Sequence, residues 1–331
     1  MTAGAIPDFL ESRARQGRDR VFVTTGSKHV TYGEMESLAA QVAMGLAGMG
    51  IRPGDRIAIA ALNGLEWLGL FFGAALLGAP VVTLNPRYRE REPDYMLNQS
   101  GAPMVVCQAR AGEFDFVEFL EKFRPKIPTV EHFVFIGGEG FSASMTFDEL
   151  VEARAGEMGS GQAFQEQRSM AAREPHRPAA ILYTSGTTGQ PKGAVLTHKS
   201  MLASAKAQAS HLGWDEQTSV IMALPLNHVG GITCGVLSVL VAGGQLVMLP
   251  AFSPAEMMAQ AGLYRPNVIA GVPTMYVMPL EAWRQEPRDT SWRDRRAAGE
   301  RGLRGGSILA DARDDCRVLR RGWVAFNWRR S

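Results

Sequence analysis

Between Tyr183 and Gly193 the chain reads Tyr-Thr-Ser-Gly-Thr-Thr-Gly-Gln-Pro-Lys-Gly, a run of hydroxyls, glycines and one lysine suited to holding phosphate. Phosphate oxygens need several donors at close range, and glycine lets backbone N–H groups approach with no Cβ in the way. Gly186, Gly189 and Gly193 supply that freedom, while Thr184, Ser185, Thr187 and Thr188 add hydroxyl donors. Lys192 brings a cation on a flexible stem, suited to a point contact with β- or γ-oxygens. A flexible Ser/Thr/Gly linker has similar composition, but a linker gives no reason for Pro-Lys-Gly followed by an apolar segment. A Walker A loop ends in Gly-Lys-Ser/Thr; here Lys192 is preceded by Pro191 and followed by Gly193.

The elements that must position this loop are legible around it. Ala179 to Leu182 reads as a buried strand, which places the loop at a strand's carboxyl end, where open α/β sheets bind ligands. Helix and strand signals alternate from residue 30 to residue 285, the pattern of a doubly wound parallel sheet. Thr31 with Glu34 predicts a capping box, Leu38, Val42 and Leu46 follow at helical spacing, and Gly50 is placed to close that helix. Arg56 to Ala61 then reads as a strand. Ser253-Pro254-Ala255-Glu256 predicts a capping box with Pro at the first helical position, with Asn267 to Ala270 as the next strand, and Thr146 to Glu149 repeats the box. Residues 156–178 turn to Gly, Gln, Ser, Arg and Glu without periodicity and read as an exposed connector.

The loop and its surroundings resemble the AMP-forming acyl-CoA synthetases, adenylate-forming enzymes that include fatty-acid and aryl-acid CoA ligases. Thr31-Tyr32, Gly50 with Pro53-Gly54-Asp55, Asn63, and the run from Gly78-Ala79-Pro80-Val81 to Asn85 are similar to that family's amino-terminal region. Pro225-Leu226-Asn227-His228-Val229-Gly230-Gly231 resembles its acyl-pocket motif, and Gly271-Val272-Pro273-Thr274 fits as well. The resemblance covers roughly Ile6 to Thr290 and implies an α/β fold: an incomplete large amino-terminal domain with parallel sheets flanked by helices, and no small carboxyl-terminal domain.

The family joins a carboxylate to the α-phosphate of ATP, releases pyrophosphate and passes the acyl group from AMP to coenzyme A. By resemblance, Thr184, Ser185, Gly186, Thr187, Thr188, Gly189 and Lys192 contact the ATP phosphates together with Mg2+. His228 then lines the acid site beside the α-phosphate, with Val229, Gly230 and Gly231 as a wall against the acyl chain and small residues leaving it room. Without the resemblance, a histidine in apolar surroundings reads as a hydrogen-bonded core residue, which is the reading kept for His198. The expected partner is a small-molecule carboxylic acid, a fatty or related acid, with coenzyme A as co-substrate.

Net charge is +2, yet residues 284–331 hold 13 Arg, no Lys and 7 acids, which leaves −4 for the first 283 residues. The body is mildly acidic and only the tail is basic, so no nucleic-acid partner is expected for the body. Cys107, Cys234 and Cys316 are odd in number and widely spaced, arguing against a disulfide framework or a zinc site and for a reducing cytoplasm. No Asp, Glu, Lys or Arg occurs between Glu216 and Glu256, but Gly243-Gly244-Gln245 breaks this stretch into an apolar helix near Ile232–Val241 and a strand near Leu246–Leu249. No integral membrane segment is expected; peripheral contact stays open.

From about Trp292 the text becomes Arg- and Gly-rich, with four of the six tryptophans within Trp283 to Trp328 and no alternation that would continue a sheet. The expected division is therefore residues 1–290 as the amino-terminal part of an AMP-binding domain and 291–331 as an atypical tail read out of frame. No Tyr-Gly-x-Thr-Glu segment, Thr-Gly-Asp segment or adenylation lysine is present. An exposed sheet edge and a half-finished core then predict instability, and impaired catalysis. The alternatives are a non-catalytic truncated product with residual nucleotide binding, adenylation of amino or aryl acids, and a phosphate-loop NTPase.

Overall fold

The structure, a computed structural model, describes residues 4–152, 174–184, 190–278 and 324–327. The chain opens with α1 (Ile6–Gln16), a hairpin of β1 (Val21–Thr25) and β2 (Lys28–Thr31), and α2 (Tyr32–Gly48). It continues through β3 (Ile57–Ala60), α3 (Leu65–Leu77), β4 (Val81–Thr83), α4 (Arg91–Ser100) and β5 (Met104–Gln108). A two-stranded ribbon of β6 (Arg110–Ala111) and β7 (Phe114–Asp115) leads to α5 (Phe116–Phe123), β8 (His132–Ile136), β9 (Met145–Thr146) and α6 (Phe147–Glu152). Next come β10 (Pro178–Thr184), β11 (Lys192–Thr197), α7 (His198–His211) and β12 (Ser219–Met222). A π-helical stretch, Gly230–Leu237, runs into α8 (Ser238–Ala242), followed by β13 (Gln245–Met248), α9 (Pro254–Tyr264), β14 (Val268–Gly271) and β15 (Val324–Asn327).

Two large sheets form where alternation alone suggests one. The first has the order β15-β14-β12-β13-β1-β2, and the second β11-β10-β4-β3-β5-β8-β9. Their interiors are parallel, and antiparallel partners close three of the four edges: β2 against β1, β15 against β14, and β11 against β10. The tail shows no alternation that would continue a sheet, yet its short β-prone stretch Val324–Asn327 pairs antiparallel with β14 at the edge of the first sheet. The remainder of the tail lies outside the described residues, as do Cys316 and most of the connector over 156–178.

The inner parallel strands bury both faces, as parallel strands between helical layers do. Ile57 and Ile59 of β3 point into a central core shared by the two sheets, while Ala58 and Ala60 point to an outer core with residues of α4 and α5. In the first sheet Val220 and Met222 face the shared core and Ile221 faces Met257 and Ala261 of α9. Helix α3 has twelve of its thirteen residues buried, which leaves no solvent face and fits a helix sandwiched between layers.

Local signals set most helix starts. Thr31 Oγ1 accepts the Glu34 N–H at 3.1 Å and Glu34 returns to the Thr31 N–H at 2.7 Å; Thr146 and Glu149 do the same. Such caps contribute about 1 kcal/mol each. At α9 only the Ser253 half of the expected pair forms, Ser253 Oγ accepting the Glu256 N–H at 3.4 Å, with Pro254 at the first helical position. Among the described residues no helix is long and apolar enough to cross a membrane.

Candidate functional site

Strand β10 lies between β4, to which it is parallel, and β11, to which it is antiparallel, with Leu182 opposite Thr83 and Thr184 opposite Lys192. The glycine- and hydroxyl-rich run therefore follows the carboxyl end of β10, as its sequence implies, and the strand after it, β11, pairs back antiparallel on β10. Thr184 Oγ1 donates to the Lys192 carbonyl at 3.5 Å, and Lys192 is exposed. Ser185, Gly186, Thr187, Thr188 and Gly189 lie outside the described residues. A Walker A loop runs from a strand into a helix; here Lys192 opens a strand, which counts against the NTPase alternative.

Below the hairpin the strand is anchored. The Tyr183 hydroxyl reaches Gln99 Oε1 at 2.7 Å and the Met96 carbonyl at 3.2 Å, and burial, with Tyr95 adding to it, raises its pKa above the ordinary tyrosine value. It is therefore a neutral donor tying β10 to α4. His198, the first residue of α7, is buried, and its Nδ1 accepts the Ile6 N–H at 3.4 Å. Burial, reinforced by the charge of Arg177, lowers its pKa to about 4. It is a neutral core histidine, matching the structural reading of the sequence.

The second motif leaves the carboxyl end of β12. Pro225 to His228 form a turn in which the His228 N–H donates to the Pro225 carbonyl at 3.1 Å, and the His228 carbonyl accepts the N–H groups of Gly231 and Ile232 at 3.0 and 3.2 Å. His228 is exposed, with its Nδ1 accepting the Gly230 N–H at 3.2 Å. In the neutral ring that bond puts the proton on Nε2. Val229 is half-buried, while Gly230 and Gly231 are buried at the start of the π-helical stretch, a geometry frequent at functional sites. Gly231 packs closely against the turn that precedes it. A Cβ on Gly231 would stand 2.1 Å from the Pro225 carbonyl oxygen and 2.9 Å from that of Leu224.

Two side chains of the other sheet hold this turn. Asn63, just beyond β3 and 6% exposed, donates from Nδ2 to the carbonyls of Leu224 at 3.0 Å and Leu249 at 2.9 Å, and its Oδ1 accepts the Leu226 N–H at 2.9 Å. Thr83 of β4 donates from Oγ1 to the Asn227 carbonyl at 3.0 Å. Sequence reasoning quotes Asn63 only through the family resemblance and gives Thr83 no role. The one available signal is a lone polar residue in each otherwise apolar run. Neither described cysteine is an activated thiol, because burial raises the pKa of both Cys107 and Cys234. Among the described residues no three His, Cys, Asp or Glu gather into a metal-holding cluster.

Comparison with known proteins agrees with this geometry. The chain is 29% identical over 298 residues to the acyl-CoA ligase SID4 of Ajellomyces capsulatus, covering 88% of this chain and 49% of that protein. It is 30% identical over 233 residues to the long-chain-fatty-acid–CoA ligase FadD13 of Mycobacterium tuberculosis, covering 69% of this chain and 41% of the relative. The inhibitor-bound crystal structure of the N-terminal domain of FACL13 from Mycobacterium tuberculosis superposes with a TM-score of 0.70 at 26% identity, over 86% of this chain and 66% of that one. The chain thus spans about half the length of the curated relatives it matches. The family described as AMP-binding enzyme matches residues 10–312. With its two motifs on one fold and that match over most of its length, the chain belongs to the AMP-binding enzymes, the adenylate-forming family of the acyl-CoA synthetases, and corresponds to their amino-terminal part.

Proposed function

We propose that the parent activity is ATP-dependent ligation of a carboxylic acid, fatty or related, to coenzyme A through an acyl adenylate. The observation that carries this reading is the placement of the two motifs. The hairpin bearing Lys192 ends β10, and Thr83, opposite Leu182 on the neighbouring strand, bonds to Asn227 beside His228. A donor-rich turn and an acid-side loop therefore flank the carboxyl ends of the same parallel strands, where open α/β sheets bind ligands.

Two anions must meet and a pyrophosphate must leave, so the work asked of the protein is positioning and charge stabilisation. Lys192 and the Thr184 hydroxyl fit the phosphates, together with Ser185 to Gly189 of the same loop; the magnesium ion would arrive on the triphosphate and neutralise its charge. With Nδ1 accepting from Gly230, the His228 Nε2–H is the donor for the acid side, and Val229 is an apolar contact for the acyl chain. A fatty or related acid is favoured by the ligases named above; amino- and aryl-acid activation remains the alternative that substrate profiling separates.

The test supplies ATP, Mg2+, coenzyme A and a panel of fatty, aryl and amino acids and follows pyrophosphate. Acid-dependent release that disappears in Lys192→Ala supports the reading. Absence of release with every acid would assign the chain to the non-catalytic alternative, and acid-independent orthophosphate would assign it to the NTPases.

A further inference from the structure

We infer that Thr83 is a positioning residue, holding the acid-side turn in register with the strand that carries the phosphate hairpin. The inference rests on the proposed reading of His228 and Val229. Thr83 is 4% exposed in a strand whose other residues, Val81 and Val82, are aliphatic. A buried hydroxyl costs stability unless it is bonded, so a third valine-like residue would be the simpler choice if packing alone mattered. Its hydroxyl leaves its own sheet to reach the Asn227 carbonyl at 3.0 Å, in the turn after β12 of the other sheet.

Strand β4 lies directly between β3 and β10, with Thr83 opposite Ile59 on one side and Leu182 on the other. Thr184, which opens the phosphate hairpin, follows Leu182 by two residues on β10. The bond therefore joins the peptide beside His228 to the strand pair from which the hairpin springs. Asn63 fixes the inner half of the turn, at Leu224 and Leu226, and Thr83 fixes the outer half, at Asn227.

The chemistry at each end separates positioning from packing. Asn227 is half-exposed, so water can satisfy its carbonyl when the threonine hydroxyl is removed, and valine fills the same volume. Thr83→Val should then release the turn without unfolding the protein, and Thr83→Ser should keep the bond.

The first measurement is amide hydrogen exchange on the ligand-free chain. In Thr83→Val the N–H groups of His228, Gly230, Gly231 and Ile232 should exchange up to about tenfold faster, the factor expected for one lost hydrogen bond. Residues 57–60 should be unchanged, and Thr83→Ser should behave as wild type. Unchanged exchange at the turn, or an equal rise across β3, overturns the inference. The second measurement is the pyrophosphate assay. Thr83→Val should raise KM for the acid several-fold with KM for ATP unaltered; equal rises in both, or a fall in kcat alone, overturn it as well. If the wild-type chain releases no pyrophosphate, the proposed function fails while the exchange result still decides the role of Thr83.

Discussion

Replacing Asn63 by leucine removes three bonds at nearly constant volume and strands three buried backbone groups. The carbonyls of Leu224 and Leu249 and the N–H of Leu226 belong to residues no more than 3% exposed, so water does not replace the lost partners without opening the interior. Taking about 2 kcal/mol for each unsatisfied group, and about 2 kcal/mol recovered from the asparagine's own desolvation, the net loss is about 4 kcal/mol. Against a total stability of about 5–15 kcal/mol, that is a large fraction. Urea unfolding followed by tryptophan fluorescence reads it, since Trp67 and Trp214 are both buried in the shared core. With a denaturant slope of about 3 kcal/mol per molar, the midpoint should fall by about 1 M or more at unchanged slope. A loss below about 1 kcal/mol would refute the claim that Asn63 clamps the two sheets.

Two further perturbations separate packing from titration. Gly231→Ala forces a Cβ onto the Pro225 carbonyl and should destabilise the chain by about 1–3 kcal/mol, whereas Gly262→Ala, within α9 and with open space at its Cβ, should stabilise it by about 0.5–1 kcal/mol; thermal melts of the pair compare them directly. His198 binds its proton near pH 4 when folded and near pH 6.5 when unfolded, so between those values the unfolded state holds more protons and stability falls as the pH drops. The cost approaches about 3 kcal/mol at pH 4 and vanishes above about pH 7. Urea midpoints from pH 4 to 8 should show His198→Asn free of that part of the acid loss.

How legible each part was follows from how far its partners lie along the chain. The starts of α2 and α6 were readable because Thr31–Glu34 and Thr146–Glu149 complete their bonds within three residues. The phosphate loop was readable because its chemistry is carried by residue types in one run. Alternation gave the α/β class but not two sheets, because Val23 of β1 pairs with Leu246 of β13, a choice made by tertiary packing. Asn63 and Thr83 act on backbone groups 144 to 186 residues away, and a backbone acceptor leaves no mark on the sequence at its own position. The packing demand for glycine at 231 is hidden for the same reason, since the atoms a Cβ would meet are the main chain of Pro225. In the tail, arginine-rich text hid the four residues that pair with β14.

The pairing of β1 with β13 also sets a timetable for biosynthesis. Translation delivers Val23 about 220 residues before Leu246, so at ~5–20 residues per second β1 waits roughly 10–45 s for its partner. The other sheet has all its strands once Thr197 has emerged. The nascent chain therefore completes one sheet while Val23 and Thr24 of β1 still lack β13, the strand that will pair with them. A growing polypeptide in that state is a client for the chaperones that bind apolar segments near the ribosome, and slowing elongation between residues 197 and 248 would lengthen its exposure.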